Sequence, residues 1–132
     1  MDNPNDEEVQ QWLIKSQRDL KVAWVLFKNK ESLLDAVVYH CQQSAEKSLK
    51  AYLTYQNTVF RKTDDLDILI DLCCQSEASF QNLKDAADTL TPYATEFRYP
   101  SDTIEPEKDE AEEALKMASL ILDFVTGLLP DN

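Results

Sequence analysis

A chain of 132 residues with 25 acidic and 13 basic side chains carries a formal charge of −12, a field that repels nucleic-acid duplexes and anionic bilayers. One glycine excludes a Gly-rich phosphate loop, one histidine excludes a multi-His metal centre, and three cysteines, two of them adjacent, lack the spacing of a zinc ribbon or a disulfide scaffold. No run approaches the ~18 apolar residues of a membrane span, and the acidic start MDNPNDEEVQQW has no apolar signal core, so a reduced, cytoplasmic protein with no membrane association is expected.

Strand-type alternation is nowhere sustained, and the length suits one domain over residues 1–132, with 1–5 and 130–132 frayed. The fold class expected is all-α, an up-and-down bundle of about five helices, four long and one short. Asp6, Glu7 and Glu8 suit the positive end of a first helix running to about Lys28, with Trp12, Ser16, Leu20, Ala23, Trp24 and Phe27 on or near its buried side. Ser32 is the expected cap of a second helix ending near Tyr55 or Gln56. Thr63, followed by Asp64 and Asp65, starts a short third helix to Cys74, with Leu66, Leu69, Ile70 and Cys73 inward. Phe80, Leu83, Ala87 and Leu90 stripe a fourth, which Pro92 interrupts before one or two further turns to Phe97. Pro106 opens a fifth, striped by Ala111, Ala114, Leu115, Ala118, Ile121, Leu122, Val125 and Leu129, with Gly127 and Pro130 marking its stop.

The second helix holds the most informative pattern. At ~100° per residue, Leu34, Val38, Cys41, Ala45, Ser48, Leu49 and Tyr52 form a core stripe. His40, Gln43, Lys47, Lys50 and Thr54 fall on the opposite, polar stripe. Between Gln43 and Lys62 four cations face one acid, whereas Asp102 to Glu113 carries seven acids and one lysine. A small anion can therefore be captured locally by convergent Lys and Arg donors, from Lys47, Lys50, Arg61, Lys62 and, after the proline break, Arg98. Tyr99 would stack on a base or donate its hydroxyl in the same cleft. His40 and Cys41 point ~100° apart on a helix and cannot form a nucleophile pair. Neither a catalytic residue nor a metal ligand or cofactor is assigned.

Three ordered motifs carry a family resemblance. Tyr39-His40-Cys41-Gln42-Gln43-Ser44-Ala45-Glu46-Lys47-Ser48-Leu49-Lys50-Ala51-Tyr52-Leu53, then Lys62-Thr63-Asp64-Asp65-Leu66, then Phe97-Arg98-Tyr99-Pro100, resemble the successive signatures of the HEPN domain (higher eukaryotes and prokaryotes nucleotide-binding). The resemblance implies a bundle of about five helices, commonly a homodimer, with a nucleotide-binding role and a minimal nucleotidyltransferase as partner. Several branches are ribonucleases, toxins among them, and these carry Arg, four residues, then His. Here Thr103 stands at that His position, and Asp64 stands where the middle motif usually has His. The expectation is thus a non-catalytic module binding a nucleotide or other phosphate ligand through His40, Gln43, Lys47, Lys50, Arg98 and Tyr99. A ribonuclease or toxin subunit, or a pure protein-docking module, is the alternative.

Overall fold

The computed structural model describes residues 4–31, 33–97 and 105–130. Five α-helices follow one another: α1 (Asp6–Phe27), α2 (Leu34–Tyr55), α3 (Leu66–Cys74), α4 (Lys84–Leu90) and α5 (Lys108–Leu128). Short 3-10 segments cover Ala78–Leu83 and Thr91–Ala94, and no strand occurs among the described residues. The all-helical bundle read from the sequence is the fold observed.

α2 is the central element, packed most extensively on α1 and then on α5 and α3. Fourteen of its 22 residues are buried, so it has no broad solvent face. Small residues let α1 approach it closely: Ser16 of α1 meets Ser44 and Ser48 of α2, and these three, with Ala23 and Ala45, are fully buried. The Ser16 hydroxyl donates to the Ser44 carbonyl at 2.7 Å and lies 2.7 Å from the Ser48 hydroxyl, so the buried polar atoms satisfy one another. Asn5, expected to fray, instead donates from its side-chain amide to the Thr54 carbonyl and to Asn57 Oδ1, tying the start of α1 to the end of α2. Asn57 closes α2 at φ 57°, and Thr58 N–H donates back to the Leu53 carbonyl in a Schellman stop.

The third, fourth and fifth apolar stripes all enter one core. Phe80 lies at its centre, 4.7 Å from the Tyr52 ring and 4.9 Å from the Phe124 ring. Burying one such side chain stabilises the fold by ~2–3 kcal/mol before entropy is counted.

Several local expectations are corrected. The second helix starts at Leu34 with Leu33 as cap, while Ser32 lies outside the described residues. Asp65, not Thr63, caps α3 by accepting from Asp67 N–H, and the Thr63 hydroxyl accepts from Asp65 N–H one step earlier. The fourth helix begins as a 3-10 segment, and after Pro92 only a single 3-10 stretch to Ala94 continues it. Pro106 precedes α5 by two residues because Glu107 and Glu110 form a capping box there. Gly127 lies in the last turn of α5 and Pro130 just beyond it, as read, with Leu129 as the cap. Trp24 is 40% exposed, on the outer side of α1.

Candidate functional site

The polar stripe of α2 does not face solvent as a unit. Neighbouring elements cover it and divide it into two clusters. In the first, Asp19 of α1 reaches across the helix seam and its two carboxylate oxygens take different partners. Oδ1 is 2.9 Å from His40 Nδ1, and Oδ2 accepts from the Lys47 ammonium. One acid therefore occupies the Nδ1 atom of His40 and offsets the charge of Lys47. Thr54, at the far end of the stripe, is buried.

The second cluster surrounds Lys50. Its ammonium donates to Glu46 Oε2 at 3.0 Å, one helical turn back on α2, and its side chain is 8% exposed. Aromatic rings flank it: Nζ lies 5.5 Å from the centre of the Trp12 ring and 6.0 Å from that of Phe60. A cation held against π faces is stabilised in a place where water is scarce. Glu46 is held in turn by Gln42, whose amide donates to Glu46 Oε1 and, at 2.9 Å, to the Asp64 carbonyl. Gln43 donates to Gln42 Oε1 at 2.8 Å, which completes a chain of hydrogen bonds along the helix.

That chain forms the floor of a cleft of about 540 Å³. Tyr39, Gln43, Glu46 and Lys50 of α2 line one side, and Lys62, Thr63 and Asp64 of the α2–α3 loop line the other. The loop is fixed there by Thr91, whose hydroxyl accepts from Leu66 N–H at 3.2 Å and donates to the Ala87 carbonyl at 2.8 Å. Ala94 closes the rim. Two ammonium groups and two carboxylates share the cavity, so it can take a phosphate at Lys50 and Lys62 while Glu46 and Asp64 accept from N–H or O–H donors on the same ligand.

Of the six expected site residues, Gln43 and Lys50 line this cleft, whereas His40 and Lys47 belong to the Asp19 cluster. Arg98 and Tyr99 lie outside the described residues, four and five positions beyond Ala94. Arg61 lines a separate hollow with Phe60 and Leu72. Sequence reasoning passed over Asp19, Glu46, Gln42 and Trp12. For Asp19 a signal existed: it is the one acid among five cations between Gln11 and Lys30, and it sits one turn from the small buried positions Ser16 and Ala23. Burial pushes the Cys41 thiol up to about 12, so it stays protonated and poorly nucleophilic at neutral pH. Among the described residues no group of three His, Cys, Asp or Glu side chains is placed to hold a metal ion, and no helix is long and apolar enough to cross a membrane.

Comparison with known proteins bears on the whole chain. The sequence model of the HEPN domain family matches residues 9–128. The crystal structure of ST0689, an archaeal HEPN homologue, superposes with a TM-score of 0.71 at 24% identity, covering 91% of this chain and 96% of the other. The crystal structure of TT1696 from Thermus thermophilus gives a TM-score of 0.73 at 26% identity, covering 92% and 98%. Among curated proteins no match was found.

Proposed function

We propose, for a chain that belongs to the HEPN domain family, that the cleft between α2 and the α2–α3 loop binds a nucleotide or a similar phosphate ligand without turning it over. The observation that carries this reading is Lys50, an ammonium only 8% exposed that nonetheless lines a cleft of about 540 Å³. A poorly hydrated ammonium is costly to hold even when paired, and this one faces an open cavity where a ligand anion can compete for it. In the free protein Glu46 holds that place; an incoming phosphate competes for the same donor, with Lys62 at the rim as its second contact. Glu46 and Asp64 then accept from ribose hydroxyls and base amines, and the Thr63 hydroxyl donates to a ribose or phosphate oxygen. Arg98 and Tyr99, four and five positions along the chain from the rim residue Ala94, are the further contacts that the sequence suggests.

Chemistry beyond binding has little support in the residues. Thr103 occupies the place of the ribonuclease histidine, and His40 Nδ1 is bonded to Asp19 in the other cluster. The family reading extends the proposal to a homodimer that works beside a nucleotidyltransferase-type partner. Co-expression with such a protein is expected to move this chain to a higher-mass, stoichiometric species in size exclusion.

Isothermal titration with ATP, GTP and a short RNA tests the cleft. Saturable binding is expected, weakened at least tenfold in Lys50→Glu and Arg98→Glu. Silence from the wild type at millimolar ligand, or equal affinity in both variants, would sink the reading.

A further inference from the structure

The outward face of α1 is independent of that cleft and has a chemistry of its own. Between Gln11 and Lys30 the chain has Lys15, Arg18, Lys21, Lys28 and Lys30 against Asp19 alone, although the protein as a whole carries −12. Asp19 is already engaged by His40 and Lys47, and the other acids of α1, Asp6, Glu7 and Glu8, sit in its first turn, more than two turns before Arg18 and Lys21. Ile14, Arg18, Lys21, Val22 and Val25 recur at helical spacing and fall within roughly a 100° arc. All five are exposed, with Ile14 at 52%, Val22 at 40% and Val25 at 58%. A hollow of about 290 Å³ beside the arc is lined by Lys15, Arg18, Asp19, Val22 and Lys47.

We infer that this face of α1 docks an acidic amphipathic segment of a partner protein, with a Glu or Asp carboxylate seated on Lys15 and Arg18 at the rim of the hollow and aliphatic side chains laid along Ile14, Val22 and Val25. Charge complementarity selects that occupant. At physiological ionic strength fields fade over ~8 Å, so a helix-sized partner answers to the local cations and not to the distant acids. An anionic membrane is a plane wide enough to meet the protein's net negative charge. A nucleic-acid backbone gains nothing from three aliphatic side chains at the middle of its contact. A second copy joined by a two-fold axis through α1 would set Arg18 and Lys21 against their own mates. An amphipathic acidic helix matches both components, anchoring apolar residues at i, i+3, i+4 and i+7 while its carboxylates meet the rim.

The test uses the full chain in 150 mM salt and a synthetic 18-residue amphipathic peptide with leucine on one face and glutamate on the other. Its lysine counterpart, a 12-nucleotide RNA and phosphatidylglycerol vesicles serve as competitors. The glutamate peptide is expected to bind saturably, to shift the amide signals of residues 14–25, and to quench the exposed Trp24. Affinity should fall at least tenfold in Arg18→Glu/Lys21→Glu and severalfold in Val25→Ser, all at exposed positions where folding tolerates the change. Lys116→Glu, an exposed charge reversal on α5, should keep affinity within twofold. Equal binding of the lysine peptide, tighter binding of RNA or vesicles, an equal loss in Lys116→Glu, or a protein dimer that the Arg18/Lys21 variant dissociates would each overturn the inference. Because none of these residues lines the Lys50 cleft, failure here leaves the nucleotide reading standing, and the reverse.

Discussion

The two carboxylate clusters of α2 use the same parts to different ends. Asp19 reaches from α1 and closes on His40 and Lys47, so its bonds join two helices and leave both carboxylate oxygens occupied. Glu46 pairs with Lys50 on its own helix, and that pair faces an open cavity. An ion pair that spans two elements fixes their register. One that spans a single turn fixes nothing beyond its own helix and can be exchanged for a ligand. Position relative to the packed seam, more than residue type, separates the clamp from the proposed receptor.

Lys50→Met breaks the second cluster most severely. Its side-chain exposure of 8%, and 12% for Glu46, means that removing one partner strands the other charge in a poorly hydrated place. A loss of about 2–3 kcal/mol in chemical denaturation is expected, below the usual 3–5 kcal/mol for a buried pair because the cleft admits water and Gln42 still donates to Glu46. Adding Glu46→Gln should recover much of that stability. Nucleotide affinity should remain at least tenfold down in both variants. Recovery of binding together with stability would mean that Lys50 serves the fold alone.

How far the sequence disclosed this contrast depends on distance along the chain. Periodicity revealed all five helices and most of the core, because burial repeats every three or four positions: Leu66, Leu69, Ile70 and Cys73 of α3 are all buried as read, whereas Val9 and Leu13 of α1 and Leu53 of α2 were passed over. It also placed His40, Gln43, Lys47 and Lys50 on one stripe, correctly as helical geometry. It had no means of showing that α1 and the α2–α3 loop cover that stripe from different sides. Trp24 shows the limit from the other direction, an aromatic at core spacing that sits on the outer side at 40% exposure. Asp19 is paired with Lys47 across 28 positions, which no local pattern encodes.

Asp19→Asn sharpens the comparison from the clamp's side. The amide keeps the size of the side chain but loses the charge that holds the Lys47 ammonium, and its NH2 fits His40 only in the tautomer whose Nδ1 accepts. Since Lys47 is 22% exposed and His40 29%, solvent can rehydrate both, and a loss of about 1–2 kcal/mol is expected. Nucleotide binding should be unchanged within twofold. A tenfold loss would join the two clusters into one site and remove the distinction drawn between them.

The smallest effect is expected at Asp67, where a carboxyl meets another carboxyl in place of a cation. It is pushed up to about 6, first by a hydrogen bond shared with Asp88 of α4, then by burial and by the charge of Asp88, while Lys84 pulls it down and Asp65 adds to the rise. An acid whose proton is held more tightly in the folded state than in the unfolded chain favours folding at low pH, and that contribution is lost as pH rises from about 4 through about 6. This is opposite in sign to a carboxylate held by a cation. Asp67→Asn keeps a donor for Asp88 at every pH. The variant should therefore match the wild type near pH 4 and exceed it at pH 7.5 by no more than about 1 kcal/mol, because the pair is partly solvated. Paired denaturation curves at the two pH values decide it: a variant weaker than the wild type at pH 7.5 would mean that Lys84, not Asp88, governs this carboxyl, and that it belongs with the compensated acids of α2.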